Sequence, residues 1–519
     1  AGSFGAATLL PAATPVCEGI DAELVGVWDD ARSQAVQTAI AGTKVAYAAD
    51  TWARVQPRLD SYAQEWLAMR TEACETHHGA RQSDQLFDLR SACLDQRRDS
   101  LNALVDILAA ADAGAVEKAV TAVAALPPIA SCGDTEALTQ SVPPPDDPTL
   151  RSKVAAARTV LARAKAHEDA GQYAQGLSVL APVLADAELT AYQPLLAEAL
   201  LRQGSLQLQS GAPEPAHQNL DRALRVALTA KHDLVAAEAG SRDLFVRADL
   251  LQRPDEALGD APIVEALVAR TGDPVIRSEF LNNMGVVHGG AGQFAPAYAS
   301  LNQALEIRRT TLPAGDPQIA YTLSNLAFIE LQEHKLDAAV ADFKSALSIV
   351  EHSLGPTHPV TGLLEQNLGY ALRMDSREGE ALIHLNVAVE LHAANYGAHA
   401  TGAHLALLER ADAKMTLGDL SSARNDLEHA AASLREHESR ESPFIANLHT
   451  GLGDLAAREG DIESANREHT TALSLRTKLY GPHHFETAYG HQRYGAMLLR
   501  AGQADEALVE LRAALAIRE

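Results

Sequence analysis

The chain has 519 residues, a formal net charge of −25 and an apolar fraction of 47%, while aromatic residues make up only 4%. The core must therefore be built mainly from Ala and Leu, which favours close-packed helices over sheets, since these residues form helices well and strands are rich in β-branched and aromatic residues. A strongly acidic surface repels phosphate backbones, which argues against a nucleic-acid partner and is typical of a soluble surface.

The first 16 residues form an apolar tail, "AGSFGAATLLPAATPV", that carries no charged side chain. This composition is compatible with a flexible tail, with the outer end of a membrane helix, or with the region that follows a signal peptide. The chain contains no run of about 18 or more apolar residues, so we expect no complete transmembrane helix within it.

Residues 17–141 are predicted to form an N-terminal helical domain. Apolar residues recur at intervals of three and four on both sides of the polar stretch "ETHHGARQS", which predicts an antiparallel helical hairpin. His77 and His78 lie in its turn, and His483 and His484 form a second adjacent pair. Two adjacent histidines alone are weak support for a metal site, so we interpret both pairs as exposed turn residues and expect no metal.

All four cysteines, Cys17, Cys74, Cys93 and Cys132, lie in this domain. An even number confined to one region predicts two disulfides and an oxidising compartment; the alternative is four buried free thiols that pack as small apolar residues. The hairpin is expected to bring Cys74 and Cys93 face to face and to leave Cys17 and Cys132 as the second pair. No pair has the C-x-x-C spacing of a zinc site.

Residues 142–149 are predicted to be a linker, because three consecutive prolines lack backbone donors and stiffen the chain. Residues 150–519 are predicted to form a repeat array with a period of 42 residues. A small residue marks each of the six clearest copies, and alanine follows it 12 and 19 residues later every time: Gly285, Ala327, Gly369, Ala411, Gly453 and Gly495.

Gly or Ala is needed where the two helices of one copy cross closely, and stacked copies bury apolar faces that one helix pair cannot bury alone. With the link "LG-x-x-HP", this pattern resembles the long tetratricopeptide repeat of kinesin light chains and bacterial signalling proteins. The resemblance implies an all-α chain that ends in an α-solenoid, with about nine helix pairs if looser copies at Ala164, Gly204 and Val246 are included. The copy at Val246 departs most, since Pro262 and Glu265 stand where Leu and Ala are usual.

The N-terminal domain also resembles a known segment. The stretch "AC…LFDLRSACLDQRRDSLNALVDILAAAD…LPPIASC" is similar to the region between the membrane helix and the repeats of large membrane-anchored bacterial serine/threonine protein kinases. This resemblance implies that a kinase domain and a membrane helix precede residue 1 and that the chain is the extracytoplasmic sensor or scaffold part. The alternative is a free cytoplasmic adaptor with reduced cysteines.

The chain itself carries no signature of catalysis. It has no Gly-rich phosphate loop, no kinase catalytic loop or D-F-G, no H-E-x-x-H and no G-x-S-x-G. We therefore expect neither enzyme activity nor a cofactor, and a protein or peptide as the partner.

Asn283, Asn325 and Asn367 form what we call the asparagine column, each two residues before the small residue and 42 residues apart. By resemblance to tetratricopeptide repeats, this position faces the concave groove and holds the backbone of a bound peptide. An asparagine side chain offers a donor and an acceptor, which suits the amides of an extended peptide. The alternative is that each asparagine is hydrogen-bonded within its own repeat.

The stretch "GPTHPV" at 355–360 is interpreted as a link in which one helix ends and the next is capped and begins. His358 shares a column of the repeat with Asp316, Ala400, Ser442 and His484. Asp and Ser are preferred helix N-caps and Pro is favoured at the first helical position, so His358 is predicted to cap a helix. Glycines are predicted to end the preceding helices, namely Gly355, Gly397 and Gly481.

Overall fold

The computed structural model describes residues 17–140, 142, 144–396, 403–437 and 442–518. These residues form helices joined by turns and no strand, which confirms the predicted all-α class. Two compact units divide the chain, one ending at Gln293 and the other beginning at Phe294; we call them unit 1 and unit 2. The predicted apolar tail lies outside the described residues.

The N-terminal part of unit 1 contains the predicted helical hairpin. Its second helix is capped by Ser83, whose side chain accepts a hydrogen bond from the Leu86 amide. The helices are α1 (Asp30–Gly42), α2 (Ala48–His78), α3 (Asp84–Leu108), α4 (Ala113–Ala124) and α5 (Thr135–Gln140), with 3₁₀ turns at Ile20–Leu24 and Ile129–Gly133. The segment Ala113–Gly133 is long and apolar enough to cross a membrane by composition alone. In the structure Val116 and Val120 of α4 are fully buried in the core of this region.

The disulfides differ from the predicted pairing. The structure joins Cys17 to Cys74 and Cys93 to Cys132, so the expected pairs Cys74–Cys93 and Cys17–Cys132 are wrong. The observed bonds close loops of 57 and 39 residues, which corresponds to about 4 kcal/mol of stabilisation for each bond in the chain-entropy model.

The register of the hairpin explains why Cys74 and Cys93 do not meet. The fully buried Trp66 of α2 donates its indole N–H to the carbonyl of Leu94 in α3, at 2.7 Å. Cys93 is therefore level with Trp66, while Cys74 lies eight residues further along α2. Eight residues of helix span about 12 Å, which exceeds the Cα separation of about 7 Å that a disulfide tolerates.

The remaining helices of unit 1 continue from the N-terminal part without a break in packing. Thr159 of the first of them donates its hydroxyl hydrogen to the Asp99 carboxylate of α3, at 2.8 Å. The helices are α6 (Pro148–Asp169), α7 (Tyr173–Ala185), α8 (Ala187–Ala191), α9 (Gln193–Gln209), α10 (Pro213–Thr229), α11 (Asp233–Phe245), α12 (Pro254–Thr271) and α13 (Pro274–Gly290).

Two details of these helices bear on the sequence predictions. Helix α6 begins within the predicted linker 142–149, because Asp147 caps it and Pro148 suits its first turn. Helix α11 continues as a π-helical turn at Val246–Leu250, so the repeat copy that departs most from the pattern also departs in backbone geometry.

Unit 2 is a run of antiparallel helix pairs after an initial helix, as the tetratricopeptide pattern predicts. The helices are α14 (Phe294–Thr311), α15 (Pro317–Gln332), α16 (Leu336–Ser353), α17 (Pro359–Met374), α18 (Glu378–Tyr396), α19 (Ala403–Thr416), α20 (Leu420–His437), α21 (Pro443–Glu459), α22 (Ile462–Tyr480), α23 (Phe485–Arg500) and α24 (Ala504–Arg518). A Cβ on Gly369 would lie 2.6 Å from Leu385 of the paired helix, and one on Gly453 would lie 2.7 Å from His469. The periodic small residues are thus required by close helix crossing.

The links between pairs stop and start helices as predicted. His358 caps α17 and is almost fully buried, with Nδ1 accepting a hydrogen bond from the Val360 amide at 3.2 Å. His484 caps α23 in the same way, and Asp316 and Ser442 cap α15 and α21. The glycines that precede the two histidine caps have positive φ, 111° at Gly355 and 92° at Gly481. Gly397 and Ala400 lie outside the described residues.

Candidate binding surface

The first helices from α17 to α23 form one continuous side of unit 2. From α17 to α23, each first helix contacts the first helix of the next pair, whereas the second helices do not make comparable contacts. We define the inner face of unit 2 by three positions on each first helix: the position of the asparagine column, the position four residues before it and the position three residues after it. Such positions share one face of a helix.

On α15 and α17 the inner face is uncharged, and we call this part the amide–apolar section. Helix α15 contributes Tyr321, Asn325 and Phe328, and α17 contributes Leu363, Asn367 and Tyr370. Three of the large apolar side chains are well exposed: Tyr321 at 41%, Phe328 at 40% and Leu363 at 46%. Phe328 is held in place by the buried ring of Phe343, which meets it edge-on at 5.2 Å. Exposed apolar side chains grouped in this way are typical of an interaction surface.

From α19 to α23 the inner face is charged, and we call this part the ion-paired section. Arg373 of α17 contacts Glu409 at 2.7 Å and Asp412 at 3.3 Å, both on α19. Arg493 of α23 is ion-paired with Asp454 of α21 and reaches Asp412 at 3.4 Å. These contacts join four successive first helices, and one of them spans two helix pairs.

The charges of the ion-paired section hold each other in the ionised form. Burial alone would raise the pKa of Asp454, but Arg493 and His469 outweigh it and lower that pKa to about 2. Burial alone would lower the pKa of Arg493, but Tyr489, Asp412 and Asp454 outweigh it and raise that pKa well above its usual value. Burial also raises the pKa of Tyr489, whose ring lies 5.9 Å from the Arg493 guanidinium. The section is therefore committed to contacts within the protein at neutral pH.

The three predicted asparagines have different surroundings. Asn283 of α13 belongs to unit 1, where its amide nitrogen donates to the carbonyl and hydroxyl oxygens of Ser241 in α11, at 3.1 and 3.2 Å. Ser241 lies one period of 42 residues earlier, so Asn283 holds two successive copies together and is not hydrogen-bonded within its own repeat as the alternative interpretation had it. Asn325 and Asn367 lie half-buried on α15 and α17 in unit 2, and their role in binding stays a prediction.

Sequence reasoning missed the apolar residues beside the asparagines and the ion pairs beyond them. The signal for the first was the helical spacing of Tyr321 and Phe328 around Asn325. The signal for the second was the change of the column from Asn to Glu409 and Arg493. Neither signal says which opposite charges meet, because the partners come from different repeats.

One group of metal-ligating residue types comes together among the described residues. Ligand atoms of Cys17, Cys74 and His78 lie within 4.8 Å of one another. The two sulfurs are bonded to each other, so neither can bind a metal as a thiolate, and only the His78 nitrogen remains as a ligand of the usual kind.

Comparisons with known proteins agree with this geometry. Residues 318–394 and 444–519 match the family model of the tetratricopeptide repeat. These parts of unit 2 are tetratricopeptide repeats. No curated protein matches the chain.

Two solved structures share the fold over most of the chain. The apo form of RapI is 14% identical, covers 70% of this chain and 97% of RapI, and gives a TM-score of 0.53. A Rap protein complexed with Competence and Sporulation Factor is also 14% identical, with coverages of 71% and 98% and a TM-score of 0.51. At this identity the likeness concerns the fold, a helical-repeat solenoid.

Proposed function

We propose that this chain is a protein- or peptide-binding module whose ligand lies on the amide–apolar section of the inner face. The observation that carries the proposal is the combination of Asn325 and Asn367 with exposed Tyr321, Phe328 and Leu363 on two neighbouring first helices. The amides can hydrogen-bond a peptide backbone, and the apolar side chains can receive its side chains.

The spacing of the section suits an extended segment that crosses the helices. Helices α15 and α17 both pack against α16, and an extended chain rises about 3.3 Å per residue. An extended segment of several residues would then reach from Asn325 to Asn367. Apolar positions lie on both sides of the asparagines along each helix, so both faces of the extended segment would find apolar contacts. The fold likeness to a Rap protein that was crystallised with Competence and Sporulation Factor supports partner binding as the activity.

The binding test uses peptides selected from a random library with the native chain. In the variant N325A/N367A, we expect the affinity of these peptides to fall at least about tenfold, since two polar contacts to the ligand backbone are lost. The control is N425A, which removes an exposed asparagine on α20 and should leave the affinity unchanged. Equal affinity of the double variant and the native chain would refute the role of the asparagine column.

We further propose that the chain is the extracytoplasmic sensor or scaffold part of a membrane-anchored bacterial serine/threonine protein kinase, attached to the membrane through a helix upstream of residue 1. The resemblance of the N-terminal domain supports this context. The disulfides Cys17–Cys74 and Cys93–Cys132 support it too, because structural disulfides persist in oxidising compartments and are rare in the cytosol.

Mass spectrometry of the protein isolated from its native cell distinguishes this proposal from a cytoplasmic adaptor. Alkylation before and after reduction should label no cysteine in the first sample and all four in the second. Four labelled cysteines without reduction would favour the cytoplasmic adaptor, while leaving the binding surface itself untouched.

A further inference from the structure

A cavity of about 550 Å³ lies in unit 2 between the second helices α14 and α16 and the start of α15. Its volume is within the range of small-molecule sites, about 300–1,000 Å³. The apolar part of its wall includes Ile319, Leu323 and Ile349, of which the first two are buried. None of these residues belongs to the inner face, so the cavity is separate from the surface proposed to bind a peptide.

Two cations and two hydroxyls complete the wall of the cavity. Arg309 comes from α14, and Lys344, Ser345 and Ser348 come from α16. Neither Arg309 nor Lys344 makes a hydrogen bond or ion pair with any residue that the structure describes. The neighbouring Arg308, by contrast, is buried and donates to the Gln318 carbonyl at 3.0 Å.

Two acidic groups interact with these cations without forming an ion pair with them. Burial raises the pKa of Asp342 although Arg309 lowers it. Arg377, the ion-pair partner of Glu380 at 2.7 Å, and Lys344 lower the pKa of Glu380. In a chain with a net charge of −25, a concave site with two unpaired cations departs from the general character of the surface.

The next helix pair provides an internal comparison. At the positions 42 residues on from Arg309 and Lys344, the chain has Glu351 and Asn386. Leu323 likewise becomes Glu365. The repeat architecture therefore does not require cations or an apolar wall at these positions, and their presence at α14–α16 is specific to this pair.

From these observations we infer that the cavity binds a small amphipathic anion, that is, a carboxylate, sulfonate or phosphate head on a compact hydrocarbon body. The head would accept hydrogen bonds from Arg309, Lys344 and Ser348, whereas the Ser345 hydroxyl already donates to the Ala341 carbonyl at 2.9 Å. Charge-assisted bonds such as those from the two cations are the strong ones. The body would cover Ile319, Leu323 and Ile349 and remove apolar surface from water.

The test uses two fluorescent probes of nearly the same shape, anilinonaphthalene sulfonate and uncharged phenylnaphthylamine, with the full chain. The variant R309E/K344N carries the residues that the next pair has at these positions. The control R500E/R512N changes two exposed cations elsewhere in unit 2 by the same net charge. Circular dichroism verifies that each variant is folded. The single substitution K344Q, at an exposed residue, is a milder second variant.

We expect the native chain and R500E/R512N to bind the sulfonate equally. R309E/K344N should bind it at least about tenfold more weakly and K344Q by an intermediate amount, with the uncharged probe little affected. Octanoate should displace the sulfonate from the native chain at lower concentration than octanol does. The inference is overturned if the native chain fails to bind the sulfonate, if R309E/K344N and K344Q bind it as the native chain does, or if octanoate and octanol compete equally.

Discussion

The amide–apolar and ion-paired sections use the same positions of the same repeat for different purposes. On α15 and α17, these positions hold Asn, Tyr, Phe and Leu side chains that are partly open to solvent. On α19 to α23, they hold acidic and basic side chains that bind one another across helix pairs. The comparison shows that the repeat fixes where a side chain points, while the residue decides whether the position stays open to solvent or forms ion pairs within the solenoid.

Unit 1 also has a first-helix cation that forms ion pairs within the protein. There the first-helix residue Arg242 contacts Glu238 at 2.7 Å, Glu279 at 3.5 Å and Glu168 at 3.6 Å. Burial and these carboxylates act against each other on its pKa, and the carboxylates prevail, so the guanidinium stays charged. Asn283 lies on α13, the helix that carries Glu279. Its side chain also makes a contact within unit 1, a hydrogen bond to Ser241. Because Tyr321, Phe328 and Leu363 are exposed on α15 and α17, we regard these two helices as the strongest candidates for ligand binding among the described first helices.

The largest expected effect is on the free energy of unfolding, when a cation of the ion-paired section is removed. In R493M, Asp454 and Asp412 lose their shared cation, and breaking a buried pair in this way costs about 3–5 kcal/mol. Asp454 is 6% exposed, so solvent cannot replace the lost partner. Urea unfolding at neutral pH measures the loss in the free energy of unfolding.

The control R467M removes a cation that is 63% exposed and lies 3.8 Å from Glu468, a weak contact. Its effect on the free energy of unfolding should stay within about 0.5 kcal/mol. Equal effects of the two variants would contradict a structural role for the ion-paired section.

His404, at the start of α19, makes the stability of the chain depend on pH. Burial, reinforced by nearby His392, lowers the pKa of His404 at the start of α19 to about 4. An unfolded histidine titrates near pH 6.5. Between these values the unfolded chain binds a proton at this histidine that the folded chain does not, so the contribution of His404 to stability falls as the pH decreases from about 6.5 to 4, by up to about 3 kcal/mol. Asp454 with a pKa of about 2 remains ionised throughout this window.

Unfolding measured at several pH values tests this expectation with H404L, whose free energy of unfolding should fall less, or rise more, than that of the native chain as the pH decreases from 6.5 to 4. H429L removes an exposed histidine on α20 and should leave the slope of the native chain. An unchanged slope in H404L would show that another group is responsible.

A double-mutant cycle measures how strongly one bridge joins two first helices. For R373M and E409Q we expect a coupling energy of about 1–2 kcal/mol, because the side chains are only 14% and 24% exposed and the contact is 2.7 Å. The pair Arg377–Glu380 is 32% and 52% exposed, and its cycle should give about 0.5 kcal/mol or less. Similar couplings for both pairs would show that burial on the inner face adds nothing.

The smallest effect on stability is expected in the amide–apolar section. L363S removes a side chain that is already 46% exposed, so the free energy of unfolding should change by less than about 1 kcal/mol. The affinity of the selected peptides should nevertheless fall about tenfold, since an apolar contact is worth about 1.5 kcal/mol. L417S changes a residue that is 57% exposed in the turn after α19 and should bind normally. A peptide affinity that survives L363S would place the ligand elsewhere.

Much of the fold was predictable because its determinants are local or repeated. Close crossing demands Gly at 369 and 453, and the 42-residue spacing made that demand visible without any structure. The caps at Asp316, Ser442 and His484 follow from hydrogen bonds to amides two or three residues away, which a column of aligned copies reveals. The candidate site was only partly predictable, since the asparagine column named a helix face and not its neighbours.

The sequence by itself determined the all-α class, the period of the repeat, the helix ends and the even cysteine count. The tertiary structure decided which cysteines pair, because the packing of Trp66 against α3 sets the hairpin register. It also decided that Arg493 meets Asp412, a residue 81 positions earlier in the chain, and so which part of the inner face stays open. The physical reason is the same in both cases: side chains from distant segments must fit one another in space, and no local pattern or repeat period records that fit.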